Sequence, residues 1–447
     1  DSAGRCTPPR SLPPAPRHAT DLNGIKWPDL CFEGGHLGKE RHDEEHFFVI
    51  GDWGGVFRAP SVPPMPANQA ASRGRPFVVG VDDRAQQLVA AQMKARANAS
   101  RPRFVINAGD NFYWGGVETD CGHSSQLIRT GQWEYVFEAI YTGPDLAGKQ
   151  WMGVLGNHDY GGWMFTAGWD QAVTYTWGPG KRWLTPALYW SRHVSYPDFT
   201  VDMFFVDSNV NDAHHPMAYP NTNMCSMAHN PVNASCGKTG PSSIWDCVDW
   251  FRGLWDEQIP WLKAGLSSSS ADWQVVVTHF PPDFQISTWA HLAETYGIDL
   301  IVAGHRHQQE VHYEDGFAGG VLGSTAWVVS GGGGGITSEG TPRLDGQDDM
   351  YGFMDIAISK HGLRIDAISH GGVLRSSTKV LPRQSLAQLS TTSTLPIGRG
   401  TTTTTSTMTS RRPLASVSSI SSTFTSTVNA TSAPALTRGA GSTPPLI

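Results

Sequence analysis

Five short apolar segments, each followed by side chains able to bind a metal ion, constrain this chain of 447 residues more than any other feature. Each segment is typical of a buried strand, and packing alone does not explain why every one ends on a carboxylate, an amide or an imidazole. In layered α/β folds, ligands bind outside the carboxyl ends of the strands, so we expect these side chains to meet. The candidate residues are Asp52, Asp110 with Tyr113, Asn157 with His158, His279, and His305 with His307.

Strand and helix patterns alternate through the middle of the chain, which is typical of a layered α/β fold. Residues 82–98 have apolar side chains at helical spacing. Residues 201–207 predict a strand of a second sheet, and residues 353–358 with 363–368 predict a late hairpin. Further strands are predicted at 47–50, 104–106 and 151–155, further helices at 133–141 and 259–266, and strands that end in histidine at 276–279 and 301–307.

The two ends of the chain differ in composition from the middle. Residues 1–45 are rich in proline and charge, which predicts an extended lead-in. Residues 386–447 are rich in serine, threonine and proline, and such a segment cannot bury enough apolar area to fold. It resembles an O-glycosylated stalk. We therefore expect one catalytic domain at 46–385 with disordered flanks.

The charge of the chain argues against a nucleic-acid partner. The formal net charge is -7 and the pI is about 6.2, so the sequence lacks the basic surface that such proteins carry. No uninterrupted apolar run approaches the ~18 residues that a membrane-spanning helix needs. Any membrane association would then come through a processed anchor or a partner protein.

Cysteine and glycosylation patterns favour a secreted, cell-surface or lumenal glycoprotein. The six cysteines are an even number without a CxxC pair, so up to three disulfides are possible, in a connectivity that the sequence leaves open. Acceptor sites for N-glycosylation occur at Asn98, Asn233 and Asn429. The chain begins on Asp1 rather than Met, which predicts a mature form whose signal peptide has been removed.

Tryptophan and glycine are concentrated in two further stretches. The tryptophans at 163, 169, 177, 183 and 190 favour aromatic packing under long loops over a sugar-binding surface. The five glycines at 331–335 do not form a dinucleotide-binding loop, because no helix is predicted after them. Two interpretations of the glycines stay open, a close backbone approach to the mouth of the site and simple slack in the chain.

The types of donor at the strand ends indicate their chemistry. Two carboxylates, a phenol, an amide oxygen and three imidazoles are too many for one tetrahedral zinc ion, but they suit two ions that share a bridging ligand. Asp110 could bridge through its two oxygens, and a Tyr113 phenolate would suit a trivalent ion such as iron. Two adjacent ions can clamp both oxygens of an in-line displacement at phosphorus, which predicts phosphoester hydrolysis. His158 could donate a proton to the leaving alcohol.

The same motifs carry a family resemblance. The chain resembles the calcineurin-like metallophosphoesterases, and the tyrosine of the second motif marks their purple acid phosphatase branch. The similarity is strongest to the small, tartrate-resistant type and runs from about residue 46 to residue 370. The motifs that carry it are Gly51-Asp52-Trp53-Gly54-Gly55, Gly109-Asp110-Asn111-Phe112-Tyr113, Gly156-Asn157-His158-Asp159, Val276 to His279, and Gly304-His305-Arg306-His307.

This resemblance implies a four-layer α/β/β/α sandwich and a purple acid phosphatase that hydrolyses phosphomonoesters with a metal-bound hydroxide as the nucleophile. His158 would orient the phosphate and assist the leaving group. By carry-over, the ligands are Asp52, Tyr113 and His307 for Fe(III), Asn157, His279 and His305 for a divalent Fe, Zn or Mn ion, and Asp110 as the bridge.

Two departures from the family pattern lie near the histidine strands. The connection from His279 to Tyr296 is shorter than in the small phosphatases, where that family carries another histidine outside the metal ligands; His291 is a possible substitute. Arg306 stands where those enzymes usually have an acidic residue, which predicts more positive charge beside the phosphate. Two alternative functions stay open: a phosphatase-fold scaffold or membrane-associated interaction protein with little or no activity, and a phosphodiesterase or nucleotidase.

Overall fold

Two seven-stranded β-sheets form the centre of the computed structural model, which describes residues 12–32, 44–55, 73–123, 126–178, 180, 182–313 and 322–383. From edge to edge, the first sheet contains β1 (Ile25–Cys31), β6 (Trp190–Ser195), β7 (Thr200–Phe205), β8 (Trp273–Val277), β9 (Leu300–Ala303), β11 (Ala326–Ser330) and β10 (Gln309–His312). The second contains β14 (Leu374–Val380), β13 (Leu363–Ser369), β12 (Gly352–Ile358), β2 (Glu45–Ile50), β3 (Val105–Asn107), β4 (Trp151–Gly153) and β5 (Trp183–Leu184).

Side chains that alternate along each central strand explain why the chain builds two sheets around one core. On β2, Phe47 and Val49 pack between the sheets, against the buried valines of β8, β9 and β11. Phe48 and Ile50 point to the opposite face and pack in a second apolar cluster, with the helix that covers the second sheet. Successive side chains of a strand point to opposite faces, so a fully apolar strand needs a layer on each side.

Helices cover the outer face of each sheet, which gives the predicted four-layer α/β/β/α arrangement. On the first sheet, Leu262, Leu266 and Leu292 pack against Phe204 and Val276. The α-helices are α1 (Ala85–Ser100) on the second sheet, α2 (Asn157–Tyr160), α3 (Asp170–Thr176), and α4 (Cys247–Ser268) with α5 (Ile286–Tyr296) on the first sheet. Single turns of other helix types occur at Asp82–Arg84, Trp133–Glu138, Asn209–Asp212 and Pro282–Gln285.

Helix α4 is far longer than the predicted segment 259–266. Pro260 is a residue more usual in the first turn of a helix, but here it lies in the interior. The turns before it contribute Phe251, Leu254 and Gln258 to the buried face, three or four residues apart. The buried face therefore runs on both sides of Pro260, with Leu262 and Leu266 after it. Burial of this face against the sheet stabilises a helix that the proline alone would end.

Strand β1 lies inside the predicted lead-in of residues 1–45. It pairs in parallel with β6 at the edge of the first sheet, and only Trp27 of its side chains is buried. Pro28 falls where the register shifts, as expected for a proline on an edge strand. Residues 1–11 and 33–43 of the lead-in, and the tail predicted at 386–447, lie outside the described residues.

Two disulfides cross-link segments that are distant in sequence. Cys121 is bonded to Cys236 and Cys225 to Cys247, Cys31 is also disulfide-bonded, and no cysteine of the described ranges is free. The predicted glycosylation sites Asn98 and Asn233 are exposed, and Asn429 lies outside these ranges. Among the described helices, none combines the length and the apolar character that a membrane crossing would require.

The tryptophans of residues 161–195 mostly form core, as predicted. Trp169, Trp183 and Trp190 are at most 1% exposed, and Trp177 packs at the edge of the core. Trp163 is the exception, because 39% of it is exposed.

Candidate metal centre

The five predicted strand ends meet at one edge of the two sheets. Strands β2, β3 and β4 run parallel, as do β8 and β9, so within each sheet their carboxyl ends lie at the same edge. Gly51, directly after β2, donates its N–H to the Ser330 carbonyl oxygen at the end of β11 across 2.7 Å, which joins the two edges. All eight candidate side chains lie in this one place, and seven of them are at most 8% exposed; His305 is half-buried.

The Tyr113 phenol lies between two buried carboxylates. Its hydroxyl oxygen is 2.7 Å from Asp110 Oδ2 and 3.1 Å from Asp52 Oδ1. His307 closes this half of the site, with Nε2 3.2 Å from the phenol oxygen and 3.4 Å from Asp52 Oδ1. The phenol has a single proton, so it donates to only one of the two carboxylates.

The other half of the site gathers one amide and two imidazoles. The Asn157 Oδ1 atom is 3.1 Å from His279 Nε2 and 3.3 Å from His305 Nδ1. The Nδ1 atom of His279 donates to the Ala108 carbonyl oxygen at 2.8 Å. This bond makes Nδ1 a donor, because a carbonyl only accepts, and it leaves Nε2 as the nitrogen that faces the site. Asp110 Oδ1 lies 3.4 Å from that nitrogen, so Asp110 reaches both halves.

Three of these residues adopt left-handed backbone conformations that are uncommon outside glycine. The φ angles are 56° at Asp52, 52° at Asp110 and 70° at His305. Backbone bonds hold two of them, from Asp52 N–H to the Gly109 carbonyl oxygen at 2.9 Å and from His305 N–H to Asp52 Oδ2 at 2.9 Å. Such conformations cost about 1–3 kcal/mol each and persist where the surroundings over-determine them, as they do in functional sites.

His158 adjoins the centre at its solvent-facing side. Its Nδ1 donates to the Trp114 carbonyl oxygen at 2.6 Å, and its backbone N–H donates to Asp110 Oδ1 at 2.8 Å. The ring stands 4.5 Å from the Tyr113 ring and is 8% exposed. The Nδ1 contact fixes the orientation of the imidazole and leaves Nε2 as the nitrogen available to a ligand.

The charges of the site fit bound cations. Burial, and the negative charge of Asp110 beside it, raise the pKa of Asp52 to about 8. Burial opposes protonation of His279, but the negative charges of Asp110 and Asp52, with hydrogen bonds to Asp110 and Ala108, together outweigh it and raise the pKa of His279 to about 10. The pKa shift of Asp52 is thus mainly an effect of burial, whereas that of His279 comes from the negative charge beside it. The donor atoms of Asp52, Asp110 and His307 lie within 4.8 Å of one another, which suits a shared cation.

The glycine run at 331–335 packs directly against the candidate ligands Asp52 and Tyr113, so the interpretation as a close backbone approach is confirmed. The Gly335 N–H donates to the Asp52 carbonyl oxygen at 2.8 Å. A Cβ added at Gly335 would overlap the Tyr113 ring, and one added at Gly331 would overlap the Arg306 carbonyl. The run therefore carries no side chains because neighbouring backbone and side-chain atoms, Tyr113 and Asp52 among them, fill that space.

Gly335→Ala is expected to lower the free energy of unfolding by about 1–3 kcal/mol, because the new methyl group overpacks the site. It should also lower the metal bound per chain, since Tyr113 must move. Chemical unfolding and elemental analysis measure the two effects. Gly253→Ala is the matched control: it lies in α4 with no atom near the added Cβ, and it should gain up to about 1 kcal/mol. Equal metal content in wild type and Gly335→Ala would contradict this account of the run.

Glu339 and Arg73 form a polar contact behind His307 that the sequence analysis missed. The His307 N–H donates to Glu339 Oε1 at 3.3 Å, and the Glu339 N–H donates to the His307 carbonyl oxygen at 3.2 Å. Arg73 makes an ion pair with Glu339 and contacts His307 Nδ1. No motif marks these two residues, because both come from segments between the strand ends.

Asp212 is a second residue that sequence reasoning missed. It is 8% exposed, and its carboxylate makes no hydrogen bond within the part of the chain that the structure describes. Burial raises its pKa to about 7, while the charge of His279 opposes the shift. It lies in the turn Asn209–Asp212, seven positions beyond the end of β7, so the rule that selected residues directly after a strand does not find it.

The two departures near the histidine strands have different outcomes. The guanidinium of Arg306 is paired with Asp283 at 2.6 Å and with Glu310 at 2.8 Å, so its charge is neutralised rather than free beside a phosphate. His291 lies on α5 in a groove with Trp255 and contacts Thr295 at 3.3 Å. It does not join the cluster of candidate ligands.

Comparison with known proteins gives the family. Residues 46–309 match the model of the calcineurin-like phosphoesterases. The chain belongs to this family. Human tartrate-resistant acid phosphatase type 5 is 22% identical over 293 residues, which cover 62% of this chain and 71% of the human protein. Purple acid phosphatase 17 of Arabidopsis thaliana is 27% identical over 307 residues, which cover 63% and 69% of the two chains.

These relatives confirm the resemblance to purple acid phosphatases that the motifs indicated. Among solved structures, the chain is similar to GAP50, the anchor in the inner membrane complex of Plasmodium, with a TM-score of 0.50 and 17% identity. The match covers 76% of this chain and 89% of GAP50. At this identity the likeness supports the shared fold alone, and the phosphoesterase sandwich is the fold observed here.

Proposed function

We propose that this phosphoesterase is an acid phosphatase that hydrolyses phosphomonoesters at a dinuclear Fe(III)–divalent metal centre. The observation that carries the proposal is the Tyr113 phenol held between the buried carboxylates of Asp52 and Asp110. Burial, together with these two carboxylates, raises the pKa of Tyr113 well above its usual value, so a strongly charged cation is needed to stabilise the phenolate. A trivalent ion supplies that charge.

The donor atoms divide into two sets that share Asp110. Two ions, when bound, supply positive charge that stabilises an in-line displacement at phosphorus and increase the acidity of a bound water. The protein's part is to hold the donors in place, which the Nδ1 hydrogen bond of His279 and the backbone bonds of Asp52 support. The proposed ligands are Asp52, Tyr113 and His307 for Fe(III), Asn157, His279 and His305 for a divalent Fe, Zn or Mn ion, and Asp110 for both.

His158 is the proposed catalytic residue at the leaving group. Its Nδ1 is held by the Trp114 carbonyl oxygen, so its Nε2 can contact the phosphate or donate a proton to the departing alcohol. The negative charge of a bound phosphate favours the protonated imidazole. Removal of this side chain would lower turnover without removing a metal ligand.

The proposed location is extracytoplasmic, as a secreted, cell-surface or lumenal glycoprotein. The disulfides Cys121–Cys236 and Cys225–Cys247 support it, because such bonds persist in oxidising compartments. The exposed acceptor sites Asn98 and Asn233 could be glycosylated there.

Purified wild-type protein is expected to bind iron, to show a visible charge-transfer band from tyrosinate to Fe(III), and to hydrolyse an aryl phosphate between about pH 4 and pH 7. Tyr113→Phe should lose the band, because it removes the phenol oxygen while keeping the ring. Tyr141→Phe is the control: this tyrosine is also buried but lies in the aromatic core, so the band should remain. Absorption spectra, elemental analysis and steady-state kinetics provide the measurements.

Three results would lead to other conclusions. Wild-type protein that binds no iron and turns over no aryl phosphate would contradict the proposal and favour a scaffold. Faster hydrolysis of phosphodiesters than of monoesters would favour the phosphodiesterase alternative. If the wild-type protein binds iron and is active, but the charge-transfer band remains in Tyr113→Phe, Tyr113 is not the iron ligand.

A further inference from the structure

A series of aromatic rings leads from the buried centre to the protein surface. The Tyr113 and His158 rings are 4.5 Å apart, His158 and Trp114 are 4.8 Å apart, and Trp114 and Trp163 are 5.3 Å apart. The exposed fractions rise along it, from 6% and 8% at the first two rings to 37% and 39% at the two tryptophans. The tryptophans therefore flank the solvent side of the proposed leaving-group histidine.

These two indoles are unusual among the tryptophans of the chain. Nine of the twelve largest fully buried side chains are tryptophans, whereas Trp114 and Trp163 each expose more than a third of their surface. Their planes are inclined by 46°, so they do not cover each other's faces by stacking. Neighbouring Met164 is also 36% exposed, which extends the apolar surface. A contiguous exposed apolar surface beside a polar site is typical of a ligand-binding site.

We propose that Trp114 and Trp163 form a subsite for a planar aromatic ring on the leaving group, so that the preferred substrates are aryl-bearing phosphomonoesters. This rests on the proposed function, because it takes the phosphate to lie at the metal centre. A leaving group that extends past His158 towards solvent reaches Trp114 next and Trp163 after it. Stacking on exposed indoles stabilises planar rings and gives nothing comparable to a short aliphatic group.

The loop geometry supports a fixed subsite. The Trp114 carbonyl oxygen accepts from His158 Nδ1, so the backbone that carries the first indole is tied to the leaving-group histidine. Trp163 also packs against the His229 ring at 5.0 Å, inclined by 31°. Asn230 Nδ2 donates to the Trp163 carbonyl oxygen at 3.4 Å. These contacts limit the motion of the indoles and reduce the entropy lost on binding.

Trp163→Ala tests the subsite. Trp163 contacts Trp114, and Trp114 is the ring that contacts His158, so this change leaves the surroundings of His158 in place. Benzyl phosphate and ethyl phosphate are the paired substrates, since both release a primary alcohol but only one carries a ring. The kcat/KM for benzyl phosphate should fall about tenfold, mainly through KM, while that for ethyl phosphate stays within about twofold. Trp163→Phe should restore the preference. Trp245→Ala removes another exposed tryptophan, 59% exposed and outside the series, and should change neither value.

Binding of non-hydrolysable phosphonates keeps the test independent of turnover. By calorimetry, wild-type protein should bind phenylphosphonate about tenfold more tightly than methylphosphonate, and Trp163→Ala should lose this difference. The same result in a protein without turnover would support the subsite while contradicting the phosphatase. Equal affinity for the two phosphonates in wild type, or an unchanged difference in Trp163→Ala, would overturn the subsite while leaving the phosphatase standing if turnover is observed.

Discussion

Asp110→Asn is expected to lower phosphatase turnover by at least about three orders of magnitude, because two-metal stabilisation of the transition state amounts to several kcal/mol. Asp110 is the carboxylate that reaches both halves of the site: Oδ2 accepts from the Tyr113 hydroxyl at 2.7 Å, and Oδ1 lies 3.4 Å from His279 Nε2. Asparagine keeps the shape but removes the charge and one acceptor oxygen. The metal bound per chain should fall from two ions to one or fewer.

Asp355→Asn provides the matched control for this experiment. Asp355 is equally buried, on β12, and it accepts from Arg96 at 2.6 Å and lies 2.8 Å from His46 Nδ1, away from the candidate ligands. Its replacement should destabilise the fold without changing metal content or turnover, measured below the unfolding midpoint. An Asp110→Asn protein that kept two metal ions and turnover within tenfold of wild type would exclude Asp110 as the bridge.

The positions of the candidate ligands could be predicted from sequence because each follows a strand that is apolar throughout. Phe47 to Ile50 has no polar side, so it can only be a central strand covered on both faces. Parallel strands bring their carboxyl ends to one edge, and this fixes where Asp52, Asp110 and Asn157 lie before any distance is known.

Other parts of the site could not be predicted, because they depend on which loops meet. Glu339 contacts His307 although it lies 32 positions later in the sequence, and no local pattern indicates the pairing. The neutralisation of Arg306 by Asp283 likewise joins two segments. The charge of Arg306 therefore indicates the charge of the site only once its ion-pair partners are known.

Exposure of particular aromatic residues is also decided by the tertiary structure. Trp163 and Trp169 are six residues apart in the same loop-rich stretch, yet one is 39% exposed and the other is fully buried. Trp169 packs against Tyr160 and Trp250, while Trp163 packs against the exposed Trp114 ring and the half-buried His229 ring. Composition correctly predicted aromatic packing for the stretch as a whole, but it could not identify the ring left at the mouth of the site.

Loss of the Cys121–Cys236 disulfide, by alanine at both positions, is expected to lower the free energy of unfolding by about 5 kcal/mol. The bond closes a loop of 115 residues, and the stabilisation from restricting the unfolded chain rises with the logarithm of loop length. The Cys225–Cys247 bond, which closes 22 residues, should contribute only about 3 kcal/mol by the same relation. All four cysteines are at most 7% exposed, so the cavities left by alanine are comparable and largely cancel in the difference.

Denaturant unfolding of the two double variants measures that difference directly. Each pair lies outside the candidate ligands, so both variants should keep their metal ions and turnover at low denaturant. The variant that lacks the Cys121–Cys236 bond should unfold at the lower denaturant concentration. The opposite result is that the variant without Cys225–Cys247 is the less stable one. In that case, native contacts around the short loop contribute more to stability than the restriction of the unfolded chain does. The disulfides would then stabilise the folded loops directly, rather than by restricting the unfolded state.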